Sequence, residues 1–158
     1  MESSRDFHKD EKVLKEILRT IVNSTAGIKY SLIIDDTGLT ILSHSKFNLT
    51  NNEIISVEKI GAIGGAVFIA GEEQGEVLGY GHINMQITEY SKGMIFSVKA
   101  GKGILCIATD KNVNMGYVRA ITKKYAPKIK KILENYLEDD NSKGNKIKEL
   151  FDSDSVLI

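Results

Sequence analysis

The side chains that could do chemistry in this sequence are few and scattered. His8, His44 and His82 stand far apart and show none of the short spacings typical of metal ligands. Cys106 is the sole cysteine, so it can form neither an intramolecular disulfide nor a cysteine zinc site. It lies in an apolar run, where a thiol behaves as a small inert hydrophobic group. Since no nucleophile–base pair stands out, we predict that the chain is not an enzyme and has no cofactor and no metal.

Two other patterns could bind a cation or a phosphate, but each has a simpler interpretation. Asp35 and Asp36 precede Gly38, and an acidic pair before glycine is typical of a turn. The glycine cluster at 61–65 lacks the Lys-Ser/Thr pair of a phosphate-binding loop. The Gly-x-Gly segments at 79–81 and 101–103 lack the last glycine of a dinucleotide fingerprint, so nucleotide binding by these loops is not expected.

Charge is unevenly distributed along the chain. Between Lys111 and Lys131 there are seven basic residues and no acidic one. Nucleic acid or an anionic membrane could use such a stretch. However, no aromatic–basic RNA motif or recognition-helix pattern accompanies it, and the 21 basic and 21 acidic residues of the chain cancel. We therefore predict a solvated helix face, and no nucleic-acid partner.

Length and composition indicate one soluble domain. The 158 residues correspond to about one domain, and the 42% hydrophobic and 27% charged fractions are ordinary. The N-terminus has no apolar stretch, so no signal peptide is expected. The longest apolar run, 60–71, is shorter than the ~20 residues of a membrane span. We expect a cytoplasmic protein without direct membrane insertion, comprising an N-terminal extension (1–9), a domain (10–137) and a mobile C-terminal tail (138–158).

Hydrophobic periodicity predicts the elements that must position these residues. A helical stripe begins at Val13 and ends near Asn23. Two β-rich runs then flank the turn at 35–38 and predict a hairpin. Three more strand-like runs follow, and a last stripe predicts one helix kinked at Pro127. The predicted strands cover 28–34, 39–44, 83–88, 94–98 and 104–108. The unbroken apolar runs among them are typical of strands covered on both faces.

The second helix is predicted over 50–71 and contains three glycines. Thr50 and Glu53 have the spacing of a capping box at its start. Each glycine in 61–65 costs about 1 kcal/mol relative to alanine in a helix interior, so a close contact should offset the penalty. That contact could be with the chain's own sheet, or it could be a symmetric helix–helix contact between two subunits.

The strand after this helix supports the two-subunit alternative. From His82 to Thr88 there is no formal charge and no proline, which leaves an edge strand without its usual protection against pairing. A loop of the same chain could cover it, but a neutral edge beside a small-residue helix favours a second copy. We predict a homodimer, or a heterodimer with a paralogue. The predicted dimer-interface residues are Ile60, Gly61, Ile63, Gly64, Gly65, Val67, Ile83, Met85 and Ile87.

The order helix, hairpin, helix, three strands, helix resembles the Roadblock/LC7 family over about residues 10–137. The turn at 33–39 (IIDDTGL) and the start of the last helix at 114–119 (NMGYVR) share in the resemblance. It implies an α+β fold of profilin-like order α-β-β-α-β-β-β-α. A five-stranded antiparallel sheet would lie between one helix on one face and two helices on the other. It also implies dimerisation through the second helix and the third strand.

The resemblance implies a function as well. Many members regulate or scaffold Ras-like small GTPases, including bacterial polarity GTPases and eukaryotic Rag GTPases, and others are dynein light chains. Members that stimulate hydrolysis resemble stabilisers of the GTPase's own loops, so no catalytic residue is carried over. The expected function is a dimeric, GTPase-activating-protein-like regulator or scaffold of a Ras-like small GTPase. Two alternatives remain: a longin- or profilin-like adaptor in a cytoskeletal or trafficking complex, and a small-ligand sensor with an internal cavity.

Overall fold

The computed structural model describes the backbone of residues 2–46 and 51–155, and the side chains of 8–46 and 57–137. The elements follow the predicted order. They are α1 (Glu2–Asn23), β1 (Ile28–Asp35), β2 (Thr40–Ser45), α2 (Asn51–Val77), β3 (Gln86–Tyr90), β4 (Gly93–Ala100), β5 (Gly103–Asp110) and α3 (Met115–Ser155). The predicted capping box at Thr50 and Glu53 lies outside the described residues.

The five strands form one antiparallel sheet in the order β2-β1-β5-β4-β3. Strand β5 is central, as its unbroken apolar run predicted. Strand β3 lies at one edge, which confirms the edge position expected for this segment, although the strand starts at Gln86 rather than near residue 83. The sheet therefore exposes one border of β3 next to the end of the long connection from α2.

Helices cover both faces of the sheet. On one face, α1 and α3 pack with Ile33, Phe96 and Leu105 in the larger core. On the other face, Phe68 of α2 packs in a smaller core that includes Ile34. Because neighbouring strand residues point to opposite faces, β1 must have consecutive apolar residues to contribute side chains to both cores. The predicted fold class, an α+β sandwich with one helix on one face and two on the other, is confirmed.

Three element boundaries differ from the prediction. Helix α1 begins at Glu2, so it includes most of the predicted N-terminal extension. Helix α2 continues beyond Gly71 to Val77. Helix α3 is one helix through Pro127 and continues to Ser155, so it includes most of the segment predicted as a mobile tail. The extension of α2 is rich in glutamate and glutamine, whose good helix propensity outweighs the single Gly75. The extension of α3 after Leu137 is instead rich in Asp, Asn and Ser, so intrinsic propensity does not account for it. The mobility of the tail stays a prediction.

The β1–β2 turn is held by one carboxylate. Asp35 Oδ1 accepts hydrogen bonds from the Thr37 amide at 2.8 Å, the Thr37 hydroxyl at 2.6 Å and the Leu39 amide at 2.9 Å. Gly38 has a φ of +87°, which side-chain-bearing residues rarely adopt. The acidic pair before Gly38 thus forms a turn, as predicted.

Helix α2 lies against this turn through its glycines. A β-carbon at Gly61 would collide with the hydroxyl of Thr40, and one at Gly65 would lie 2.8 Å from Gly38 Cα. Both positions are buried. The close contact that offsets these two glycines is therefore made with the chain's own hairpin.

Cys106 lies in the middle of β5 beneath α2. Its side chain is buried, and Sγ is 3.2 Å from the hydroxyl of Ser97. Burial raises the pKa of the Cys106 thiol because the thiolate would lose its hydration, and the hydrogen bond with Ser97 opposes this only in part. The thiol is thus protonated and almost fully covered in the folded chain.

Two alanine substitutions on α2 should have opposite effects. Gly65→Ala places its methyl against the backbone of Gly38, which cannot rotate away, and should lower the free energy of unfolding by about 1–3 kcal/mol. In Gly64→Ala the methyl lies 3.6 Å from Ile34 Cδ1, which is an ordinary contact. The gain in helix propensity should therefore raise the free energy of unfolding by about 0.5–1 kcal/mol. Urea denaturation measures both, and equal shifts would contradict the packing described.

The thiol of Cys106 should be almost unreactive in the native protein. Labelling by a soluble disulfide reagent should be roughly 10³-fold or more slower than in the urea-unfolded chain, because only the unfolded fraction exposes the sulfur. Absorbance of the released chromophore gives both rates, with Cys106→Ser as the blank. Native labelling within about tenfold of the unfolded rate would show that β5 is accessible.

Candidate interaction surface on helix α2 and strand β3

The outward face of α2 is apolar. From Ile60 to Gly71 the helix has no charged residue, although only one side of it packs on the sheet. Ile63 is 56% exposed and Val67 is 48% exposed, and they lie among exposed alanines. A helix that is apolar all round is typical of a helix covered on both sides, and an exposed apolar patch marks an interaction site.

A groove separates α2 from the edge strand. It has a volume of about 210 Å³, with β4 and β5 side chains, including Cys106, at its floor. One wall is apolar and belongs to α2, whereas the other belongs to β3 and carries uncharged polar groups. The lining residues that we call the α2–β3 surface are Ile60, Ile63, Gly64, Val67, Gln86, Thr88 and Tyr90. Strand β3 pairs with β4 alone among the described strands, so its outer backbone border is open to pairing.

The structure divides the helix residues predicted for the dimer interface into two groups. Ile60, Ile63, Gly64 and Val67 line the α2–β3 surface. Gly61 and Gly65 instead face the β1–β2 hairpin and are buried. The four-residue spacing that placed these two glycines on one face is real, but that face is the one turned to the chain's own sheet.

The predicted strand residues lie away from the groove. Met85 and Ile87 pack against the α1–α3 core on the opposite face of the sheet, and Ile83 packs against the α2-side core before β3 begins. The predicted interface included only the apolar side chains of this segment, so it missed Gln86 and Thr88, the groove residues of β3. The alternation of polar and apolar residues along 83–88 could have identified them, had α2 been placed over the polar side.

Glu72 holds the connection between α2 and β3. Its Oε2 accepts a hydrogen bond from the Ile83 amide at 3.3 Å and lies 3.2 Å from His82 Nδ1. Its Oε1 is buried and has no hydrogen-bond partner among the described residues. Its side chain is only 18% exposed. Glu72 therefore fixes where the chain turns back towards the sheet edge.

The remaining candidate residues do not assemble into a reaction centre. Within residues 8–46 and 57–137, no group of three or more His, Cys, Asp or Glu side chains could hold a metal ion. His8 and His82 are exposed and His44 is half-buried, and the three lie on different parts of the fold. None of the helices in the described part of the chain combines the length and apolar character needed to cross a bilayer.

Comparison with known sequences identifies relatives that match over almost their whole length. No model of a known protein family matches the chain. The uncharacterized protein MJ0310 of Methanocaldococcus jannaschii is 34% identical over 120 residues, which cover 76% of this chain and 96% of that protein. Identity at this level over nearly the whole relative shows common ancestry.

Comparison with solved structures identifies the fold. A Roadblock/LC7 domain from Streptomyces avermitilis superposes with a TM-score of 0.68 at 14% identity, covering 76% of this chain and 97% of that one. A structure of MglB in a tetrameric arrangement also superposes with a TM-score of 0.68 at 16% identity. The match covers 83% of this chain and 92% of that one. The resemblance read from the sequence is thus confirmed in three dimensions. The chain belongs to the same family as the Methanocaldococcus jannaschii protein MJ0310 and has the Roadblock/LC7 fold.

Proposed function

We propose that this protein is a non-enzymatic, dimeric regulator or scaffold that binds a Ras-like small GTPase and biases its nucleotide-dependent conformation. The observation that carries the proposal is the uncovered apolar face of α2 beside the open edge of β3. It occurs on the fold of Roadblock/LC7 domains, whose members include GTPase regulators. The tetrameric arrangement of MglB supports self-association of this fold.

Charge favours a second copy of the chain as the first occupant of the α2–β3 surface. A two-fold axis brings identical residues of two subunits together, so any charge near the axis would face its own copy. The stretch 60–71 and the segment 82–88 contain no formal charge, and the first acidic residue of β3 is Glu89. Contacts of two subunits through these two stretches therefore incur no like-charge repulsion.

A regulator of this kind acts by differential affinity. Helix α2 and strand β3 contain no arginine, so the proposed platform has no side chain suited to enter a GTPase site as a finger. The two arginines in the region with described side chains, Arg19 and Arg119, belong to the helices on the opposite face of the sheet. Any effect on hydrolysis would come from preferring one conformation of the GTPase loops over the other.

Substituting the exposed apolar residues of α2 should produce a monomer. Val67→Glu places a charge on a surface that a two-fold axis would repeat, so the mass should fall from twice 17.5 kDa to 17.5 kDa. Light scattering during gel filtration measures this. Leu39→Glu is the matched control because Leu39 is 66% exposed but lies on the β1–β2 hairpin. A wild-type monomer, or an unchanged dimer of Val67→Glu, would contradict the proposed interface.

The protein should bind the two nucleotide states of its partner GTPase, tested with a Ras-like GTPase from a neighbouring gene, with unequal affinity. We expect the affinities for the forms loaded with GDP and with a non-hydrolysable GTP analogue to differ at least about tenfold, as a population shift requires. Calorimetry measures both affinities. Arg19→Ala and Arg119→Ala should each leave GTP turnover in the complex unchanged, because no arginine finger is proposed.

The outcomes of this experiment separate the alternatives. Equal binding to both nucleotide states would favour an adaptor role, and no binding to either state would contradict the GTPase proposal. Loss of stimulated turnover in one arginine variant, with binding retained, would overturn the loop-stabilising mechanism.

A further inference from the structure

A second surface lies on the α3 side of the sheet, away from α2. There α3, the end of β4 and the segment before β3 enclose a groove of about 470 Å³. Three cationic side chains line it: Lys99 of β4, and Arg119 and Lys123 one turn apart on α3. None of the described residues that line this groove is acidic. Because Lys99 also borders the cleft next to Glu72, Arg119 and Lys123 carry the argument.

The cations of this groove belong to a larger basic field. All seven basic residues between Lys111 and Lys131 are exposed, as a solvated helix face requires. None of these seven, nor Lys99, forms an ion pair with any side chain of residues 8–46 or 57–137. Lys124 and Lys128 lie over the ring of Tyr125 on the other flank of α3, 5.3 and 5.4 Å from its centroid. The groove thus concentrates uncompensated positive charge within a protein whose net charge is zero.

The groove is more than a patch of charge, because part of its lining is apolar. Met85, Val98, Ala126 and Pro127 contribute this part. Pro127 lies inside α3 and adds its ring to this apolar part. The groove therefore combines charged donors with an apolar floor.

We propose that this groove binds an acidic peptide segment of a partner protein, with carboxylates on Arg119 and Lys123 and an apolar side chain on the floor. An acidic peptide with an apolar residue matches both features. A flat bilayer would reach the outermost lysines but not the floor. Nucleic acid would be expected to stack on aromatic rings, and none of the described residues that line the groove is aromatic.

Fluorescence anisotropy with two labelled peptides tests the proposal. The first has four glutamates on each side of a central leucine, and the second has serine in place of that leucine. Arg119→Glu/Lys123→Glu should weaken binding of the leucine peptide at least about tenfold, because two attractions become repulsions. Lys111→Glu/Lys131→Glu makes the same change of charge outside the groove and should weaken binding of the leucine peptide less than about threefold. The serine peptide should bind the wild type at least about threefold more weakly than the leucine peptide.

Each opposite result would overturn the proposal. Equal losses of affinity in the two double variants would indicate non-specific electrostatic attraction. Equal affinity of the two peptides would show that the apolar floor does not contact the leucine. No binding of the leucine peptide at about 50 mM salt would exclude the occupant. Tighter binding of phosphatidylserine vesicles or oligothymidine than of the peptide would assign the surface to another class of partner. Val67→Glu should bind the leucine peptide like the wild type, so this proposal and the α2–β3 proposal can fail separately.

Discussion

The contact of α2 with the β1–β2 hairpin determines how the functional faces of this protein are arranged. Gly65 meets the backbone of Gly38, and Gly61 meets Thr40, so the helix lies closer to the hairpin than any side chain would allow. Asp35 holds the turn that makes this possible. Because the glycines occupy the inner face, the bulkier apolar residues Ile63 and Val67 are directed outward. The same contact that seats the helix thus leaves an uncovered apolar surface.

The sheet separates two kinds of surface. On the α2 side, an uncharged helix face lies beside the uncharged groove residues of β3, Gln86, Thr88 and Tyr90, which suits association of identical subunits. On the α3 side, cations accumulate around an apolar groove, which suits a partner of opposite charge. A net charge of zero conceals this division, since acidic residues such as Glu72, Glu73 and Glu76 cluster near the end of α2. Two partners could therefore be bound at once without competing for the same face.

Glu72 connects helix α2 to the segment that leads into the edge strand β3. Its carboxylate bonds to the amide of Ile83, and this contact sets where the connection from α2 turns towards β3. Strand β3 begins at Gln86, and its register with β4 places Gln86 and Thr88 towards α2 and Ile87 towards the α1–α3 core. A shift of one residue would exchange these faces, because side chains alternate along a strand.

The sequence by itself determined the element order, the edge position of β3, the turn at Gly38, the doubly covered strands and the burial of Cys106. These follow from periodicity and local turn chemistry, which act over a few residues. Only the tertiary structure decided which face of α2 carries Gly61 and Gly65, which side chains of β3 line the groove, and that Lys99 joins Arg119 and Lys123. Such features depend on distances between elements remote in sequence, and a small-residue row is compatible with either a sheet or a second helix. Helix α3 also continued across a polar segment whose residues have weak intrinsic helix propensity. Helix α2 continued beyond its predicted end because Glu72, Glu73 and Gln74 are good helix formers that follow a glycine which local rules interpret as a stop.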